Sequence, residues 1–89
     1  MWPFKCDAFK LRAMKKRSFQ IRIGEAIRKR REGGPRNQEE FADHIEMHRA
    51  YYGEIERGKK DIRMTTLLRV CEGLNCPVWE VIREAESAE

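Results

Sequence analysis

The sequence predicts an all-α domain. Three observations carry that expectation: apolar residues recur at helical spacing along most of the chain, capping and stopping residues fall between those runs, and no alternating strand series, internal repeat or low-complexity tract interrupts them. With 89 residues, 40% hydrophobic and 38% charged, there is room for one small domain and none for a two-domain enzyme or a large cofactor site. The same balance is too apolar for a disordered tail and too charged for a membrane protein.

Over residues 18–32, Phe19, Ile23 and Ile27 recur at every fourth position while Arg22, Arg28, Lys29 and Arg30 fall elsewhere, giving a first amphipathic helix. Gly33-Gly34-Pro35 stops it. Asn37, with Glu40 three residues on, is a capping-box start for a second helix whose apolar face is Phe41, Ala42 and Ile45. The pattern breaks near Glu46 and resumes at Met47. His48 is placed to cap a third helix that turns Tyr52 and Ile55 inward, runs through Arg57 and is ended by Gly58, with Lys59-Lys60-Asp61 as a polar connection. Met64, Leu67, Leu68, Cys71 and Leu74 form the core stripe of a fourth helix, which has a weaker start signal at Asp61 and is closed by Asn75 as a left-handed residue. Pro77 opens a fifth helix with the stripe Val78, Val81 and Ile82, and the acidic end, residues 84–89, frays. The expected organisation is a basic N-terminal arm over residues 1–17, five helices over 18–84 and an acidic end over 85–89.

Nineteen Lys and Arg against 15 Asp and Glu give a net charge of +4, a mild excess that permits a polyanionic partner without demanding one. Its placement says more. Residues 1–17 hold six basic groups and one acidic one, and beyond them the sign alternates: positive over 18–36, negative over 37–56, positive over 57–69 and negative over 70–89. A polyanion must therefore meet selected edges. Cys6, Cys71 and Cys76 have no Cys-x-x-Cys or His spacing, so neither a disulfide framework nor a zinc site is expected, and a reducing cytoplasm fits best. Cys71, on an apolar helical face, reads as a small buried hydrophobe. No metal and no cofactor are expected. No apolar run has the length of a membrane span or a signal peptide, so neither a membrane partner nor export is expected.

Over residues 38–57 the pattern sets Ala42 at a close helix crossing, puts Phe41, Ile45, Met47, Tyr52 and Ile55 inside, and leaves His48, Arg49, Ala50, Gly53 and Glu54 outside. Two short helices around a tight turn follow from it. The segments Ile23-Gly24-Glu25-Ala26-Ile27-Arg28, Asn37-Gln38-Glu39-Glu40-Phe41-Ala42, Glu54-Ile55-Glu56-Arg57-Gly58-Lys59 and Thr66-Leu67-Leu68 with Leu74 resemble the Cro and phage-repressor (xenobiotic-response-element) type of helix-turn-helix domain over residues 19–82. The resemblance implies a five-helix domain whose third helix enters the DNA major groove, usually as a symmetric dimer reading two half-sites.

In that family the first solvent-facing positions of the third helix meet base edges; here they are His48, Arg49, Ala50, Gly53 and Glu54. Arg49 is suited to guanine, whose O6 and N7 accept two guanidinium hydrogen bonds, and Ala50 to a thymine methyl. Gly53 either lets the backbone approach DNA closely or sits at a position under weak constraint. Glu54 either accepts from cytosine N4 or is solvated or paired with a basic group. Gln38, at the amino end of the second helix, is assigned to the phosphate backbone. The resemblance places Lys59 and Lys60 beside the sugar-phosphate chain, with Tyr51 and Arg57 to help, the bland reading being a solvated loop. Arg31 and Glu56 match positions that pair across the first and third helices, a structural ion pair. One departure stands out: Glu46 occupies a turn position where the family often has Gly, and a left-handed residue with a β-carbon costs about 1 kcal/mol or more, so a less tight turn is expected. The acidic groups Glu39, Glu40 and Asp43 must face away from DNA.

The arm, residues 1–17, lies outside the resemblance and combines its charge with Trp2, Phe4, Phe9 and Leu11. It either touches phosphates or the minor groove, docks on a second subunit, or is poorly ordered. The leading functional expectation is a non-enzymatic, homodimeric, sequence-specific binder of double-stranded DNA that regulates transcription, with Trp79, Val78 and Ile82 at the dimer interface. The alternative is a protein-interaction module, such as an antitoxin masking a protein partner, with DNA contact secondary. An exposed Trp79 suits either, and plain core packing is a third reading of it. An enzyme is disfavoured, because no nucleophile and base, Gly-rich phosphate loop or carboxylate pair falls in a plausible pocket and no catalytic residue is assigned.

Overall fold

A computed structural model of the chain describes residues 16–87. The expected arm lies outside the described residues apart from Lys16 and Arg17, which open the first helix. Among the described residues the regular structure is five helices and no strand: α1 (Lys16–Glu32), α2 (Gln38–His44), α3 (Arg49–Glu56), α4 (Met64–Leu74) and α5 (Val78–Ser87). The all-α expectation holds, element for element.

Helix α1 is the strut on which the rest is assembled, packing against α5, α3 and α4, while α2 packs on α3 and α4 on α5. Ile23, Ala26 and Ile27 of α1 meet Phe41, Ala42 and Ile45, Tyr52 and Ile55, Leu67, Val70 and Cys71, and Val81 and Ala85 in one continuous core. The Tyr52 ring lies against Phe41 with centroids 5.3 Å apart. α1 comes close to the end of α3 because Gly24 has no side chain: a β-carbon there would lie 2.5 Å from the carbonyl oxygens of Ile55 and Glu56. At the other end of the strut Arg30 clamps α5, reaching Glu84 at 2.6 Å and Glu80 at 3.3 Å.

Helices α2, α3 and α4 end in the same way. Each is followed by one left-handed residue, Glu46 (φ 55°), Gly58 (φ 74°) and Asn75 (φ 59°). In each a pair of backbone bonds turns the chain back: Met47 N to Ala42 O and Glu46 N to Asp43 O, Lys59 N to Glu54 O and Gly58 N to Ile55 O, Cys76 N to Cys71 O and Asn75 N to Glu72 O. This is the Schellman arrangement, which satisfies the last carbonyls of a helix and brings the side chains flanking the turn together.

Five local expectations need correction. Glu46 does not loosen its turn: it takes the left-handed conformation and both turn bonds form, at 2.8 and 3.0 Å. His48 precedes α3 in extended conformation but its side chain makes no capping bond. Arg63, not Asp61, is the residue at the start of α4. The α4 stripe is rotated: Leu67, Val70 and Cys71 are buried, whereas Met64 and Leu68 are 67% and 49% exposed. The chain does not fray at 84, since α5 continues to Ser87 and Ala85 is 1% exposed. The Asn37 capping box forms as expected, with Asn37 Oδ1 accepting from Glu40 N at 2.8 Å and Glu40 Oε1 accepting from Asn37 N at 2.9 Å.

Candidate nucleic-acid interface

Ala42 of α2 and Tyr52 of α3 are both buried in the core, so the opposite face of α3 looks outward. His48, Arg49 and Ala50 at its start are exposed and Glu54 is half-buried. A shallow hollow of about 470 Å³ runs along this face, lined by Gln38, His48, Arg49, Ala50, Gly53, Glu54 and Arg57. Side chains from α2, α3 and the end of α3 therefore share one concavity. A second hollow of about 360 Å³, lined by Arg28, Arg31, Gln38, Glu56 and Arg57, shares Gln38 and Arg57 with the first.

Gly53 corrects the sequence reading. It faces the outward hollow, yet it is buried there rather than open. The space its side chain would fill is already occupied, since a β-carbon at Gly53 would lie 3.2 Å from Arg57 Nη1 and 3.4 Å from Gln38 Oε1. The missing side chain thus seats two polar groups against the helix. Among the candidate backbone residues, Arg57, Lys59 and Lys60 are exposed, while Tyr51 is half-buried and packed on the core. Lys60 lies 3.5 Å from Glu54, so that carboxylate has a cationic neighbour of its own. Glu39 and Asp43 are exposed but line neither hollow, and Glu40 is held by the α2 cap.

Beneath the hollows lies a polar knot centred on Glu56, which is 5% exposed. Arg31 grips it with two nitrogens, Nε at 2.6 Å and Nη2 at 3.2 Å, and Tyr52 OH and Gln38 Nε2 donate at 2.5 and 3.0 Å. Arg31 Nη1 also reaches the carbonyl of Arg36 at 3.3 Å. Burial works to raise the Glu56 carboxyl, and the bonds from Arg31, Tyr52 and Gln38 outweigh it and bring it below the ordinary carboxylate value. Burial first, then the bond it donates to Glu56, pushes the Tyr52 phenol up. Its bond to Glu56 raises Arg31. The knot ties the end of α3 to α1 and fixes the amide of Gln38, so one donor nitrogen assigned to phosphate is already committed to Glu56.

By spacing Arg28 falls off the apolar stripe of α1, and the sequence assigns it no site role. The structure brings it to the second hollow, where it sits beside Arg57 and also pairs with Glu32 at 3.0 Å. The signal was present in its spacing: three residues before Arg31, it shares the helix face that looks toward α3. Of the three residues expected at a dimer interface, Trp79 is 57% exposed with the Arg83 guanidinium 5.9 Å from its ring centroid. Val78 and Ile82 are half-buried against this chain's own core.

The family model described as helix-turn-helix matches residues 27–78, a span that holds α2, the turn, α3 and α4. The chain belongs to the helix-turn-helix family. The resemblance to Cro and phage-repressor domains is borne out, and with it comes a family of DNA-binding transcription regulators. Among curated relatives of this helix-turn-helix chain, control protein C.MunI of a Mycoplasma species is 34% identical over 68 residues, 75% of this chain and 92% of that protein. The crystal structure of the clp gene regulator ClgR from C. glutamicum superposes with a TM-score of 0.72 at 30% identity, covering 75% of this chain and 86% of that one. The restriction-modification controller protein C.AhdI from Aeromonas hydrophila gives 0.67 at 24% identity over 70% and 94% of the two chains, a likeness of fold. Among the described residues no cluster of three or more His, Cys, Asp or Glu is placed to hold a metal ion, and no helix is long and apolar enough to cross a membrane.

Proposed function

We propose that this chain is a sequence-specific regulator of transcription that acts in the cytoplasm as a homodimer, inserting α3 into the major groove of a near-palindromic operator. The observation that carries the reading is the outward hollow along α3, where three exposed residues of a helix-turn-helix unit, His48, Arg49 and Ala50, stand beside Arg57 and Gln38. Arg49 is the principal base reader, donating to guanine, with Ala50 beside a thymine methyl and His48 at the edge of the site. Glu54 acts with Lys60 as a pair, which lessens its repulsion from phosphate. Arg57, Lys59 and Lys60 follow the sugar-phosphate chain, with Tyr51 and Gln38 supporting them, and Gly53 is the floor that seats Arg57. Two copies meet through Trp79, flanked by Val78 and Ile82, which spaces their α3 helices one helical turn apart, about 34 Å.

The relatives favour the same reading, since the names of C.MunI and ClgR describe a control protein and a gene regulator. The test is a titration of the pure protein against random and selected duplexes at several salt concentrations. Tight, selective binding above a salt-sensitive background is expected. Equal, weak binding to both would replace this reading with that of a protein-interaction module.

A further inference from the structure

We propose that Cys71 and Cys76 form a dithiol site at the junction of α4 and α5, where a hydroperoxide converts them to an intramolecular disulfide. Four residues separate the two in sequence, which matches no familiar Cys motif, and the fold closes that gap. Asn75 in its left-handed conformation turns the chain, and Cys76 N bonds to Cys71 O at 3.1 Å while Asn75 N bonds to Glu72 O at 3.2 Å. In this arrangement the residue after the left-handed one folds back over the residue five before it, so their side chains meet. A cross-link requires that approach of backbone and β-carbons, because a disulfide tolerates only a narrow range of separation.

The two thiols differ in a way that orders the chemistry. Cys71 is buried at 1% exposure and Cys76 is partly open to solvent. Burial pushes the Cys71 thiol up to about 12, so it stays protonated, and the neighbouring Cys76 acts in the same direction. Arg30 lies near enough for its charge to act on both sulfurs. The sulfur of the accessible Cys76 attacks the outer oxygen of the hydroperoxide; the O–O bond breaks, Cys76 becomes a sulfenic acid, and the thiol proton goes to the displaced alkoxide or hydroxide. The Cys71 sulfur then attacks the Cys76 sulfur, its proton leaving with the expelled hydroxide as water. Two thiols lose two electrons and two protons in all, and the hydroperoxide is reduced to alcohol, or water, plus one further water. The bond staples the end of α4 to the residue before Pro77, and so fixes the segment that presents Val78 and Trp79.

The site stands apart from the DNA reading, because its test reads sulfur chemistry. The full chain with Cys6→Ser keeps Cys71 and Cys76 as its two thiols. Treated with hydrogen peroxide after full reduction, it is expected to lose both thiols together and fall in mass by two hydrogen atoms. It should stay a single chain under non-reducing denaturing conditions, yield a peptide linking residues 71 and 76, and return to the dithiol with dithiothreitol. In the same background Cys76→Ser is expected to keep Cys71 reduced at a peroxide dose that converts the pair, with circular dichroism confirming the helical fold. The proposal is overturned if Cys76 proceeds to the sulfinic acid while Cys71 remains free, if only disulfides between chains form, or if Cys71 oxidises equally fast without Cys76.

Discussion

At the scale of single residues, two glycines show how the same substitution has opposite outcomes. A β-carbon at Gly24 meets backbone oxygens of Ile55 and Glu56 at 2.5 Å, and neither helix can yield without separating α1 from α3. At Gly53 it meets the tip of the exposed Arg57 side chain at 3.2 Å, which can swing away, and the Gln38 amide oxygen at 3.4 Å, an ordinary contact that asks for no movement. Gly24→Ala is therefore expected to destabilise the domain by about 2 kcal/mol or more, whereas Gly53→Ala, mid-helix, leaves stability level or raises it by about 0.5 kcal/mol. Urea unfolding of both variants checks the contrast, and equal losses would mean that the packing of α1 on α3 is misread. Glu46 offers the reverse case. It holds φ 55° with a β-carbon, so Glu46→Gly should stabilise the turn by about 1 kcal/mol, seen as a higher urea midpoint with an unchanged slope.

At the scale of elements, the knot on Glu56 holds α3 to α1, and its strength is open to two measurements. Removing one partner leaves the other charge buried, so Arg31→Met is expected to cost about 3 kcal/mol, and the double variant Arg31→Met with Glu56→Leu less than that. Acid should act on the same bond. Because Glu56 titrates below its ordinary value of 4.5 in the folded chain, its contribution is complete above that value and is lost as pH falls through the lowered one. Glu56→Gln should be less stable at neutral pH and show a shallower loss of stability in the acid range than the parent; parallel curves would remove Glu56 as the acid-sensitive group. Much of this architecture was legible in the sequence. Asn37 with Glu40, Gly58, Asn75 and the apolar spacing of α1 and α5 are local signals, and local signals set helix ends and faces. What was not legible depends on distance. Whether Met64 or Val70 faces inward on α4 is decided by which residues of α1 and α5 are waiting there, and whether Gly53 is open or covered by where Arg57 and Gln38 come to rest.

At the scale of the whole molecule, the sign of charge follows the fold. Arg57 lines both the hollow along α3 and, with Arg28, the one beside it, Lys60 stands 3.5 Å from Glu54 of α3, and Arg30, Glu80 and Glu84 are spent on holding α5 to α1. α5 thus has a face fixed to the core through Val81 and Ala85 and another on which Trp79 stands 57% exposed beside Arg83. A large aromatic held on a rigid helix loses little freedom when covered, which is why such residues dominate binding energy where two surfaces meet. Trp79→Ser tests whether that face joins two copies. Removing an exposed side chain should change the stability of the single chain by no more than about 0.5 kcal/mol, while loss of a central aromatic anchor weakens association by about 2 kcal/mol, roughly 30-fold in the dissociation constant. Sedimentation velocity across a concentration series reads the second quantity and thermal unfolding at low concentration the first. A duplex with two half-sites separates the consequences further, since the variant should bind one half-site as the parent does and lose the gain from the second. Unchanged dimerisation in a folded Trp79→Ser chain would move the interface elsewhere on the molecule, with the exposed Met64 and Leu68 of α4 as the next surface to alter.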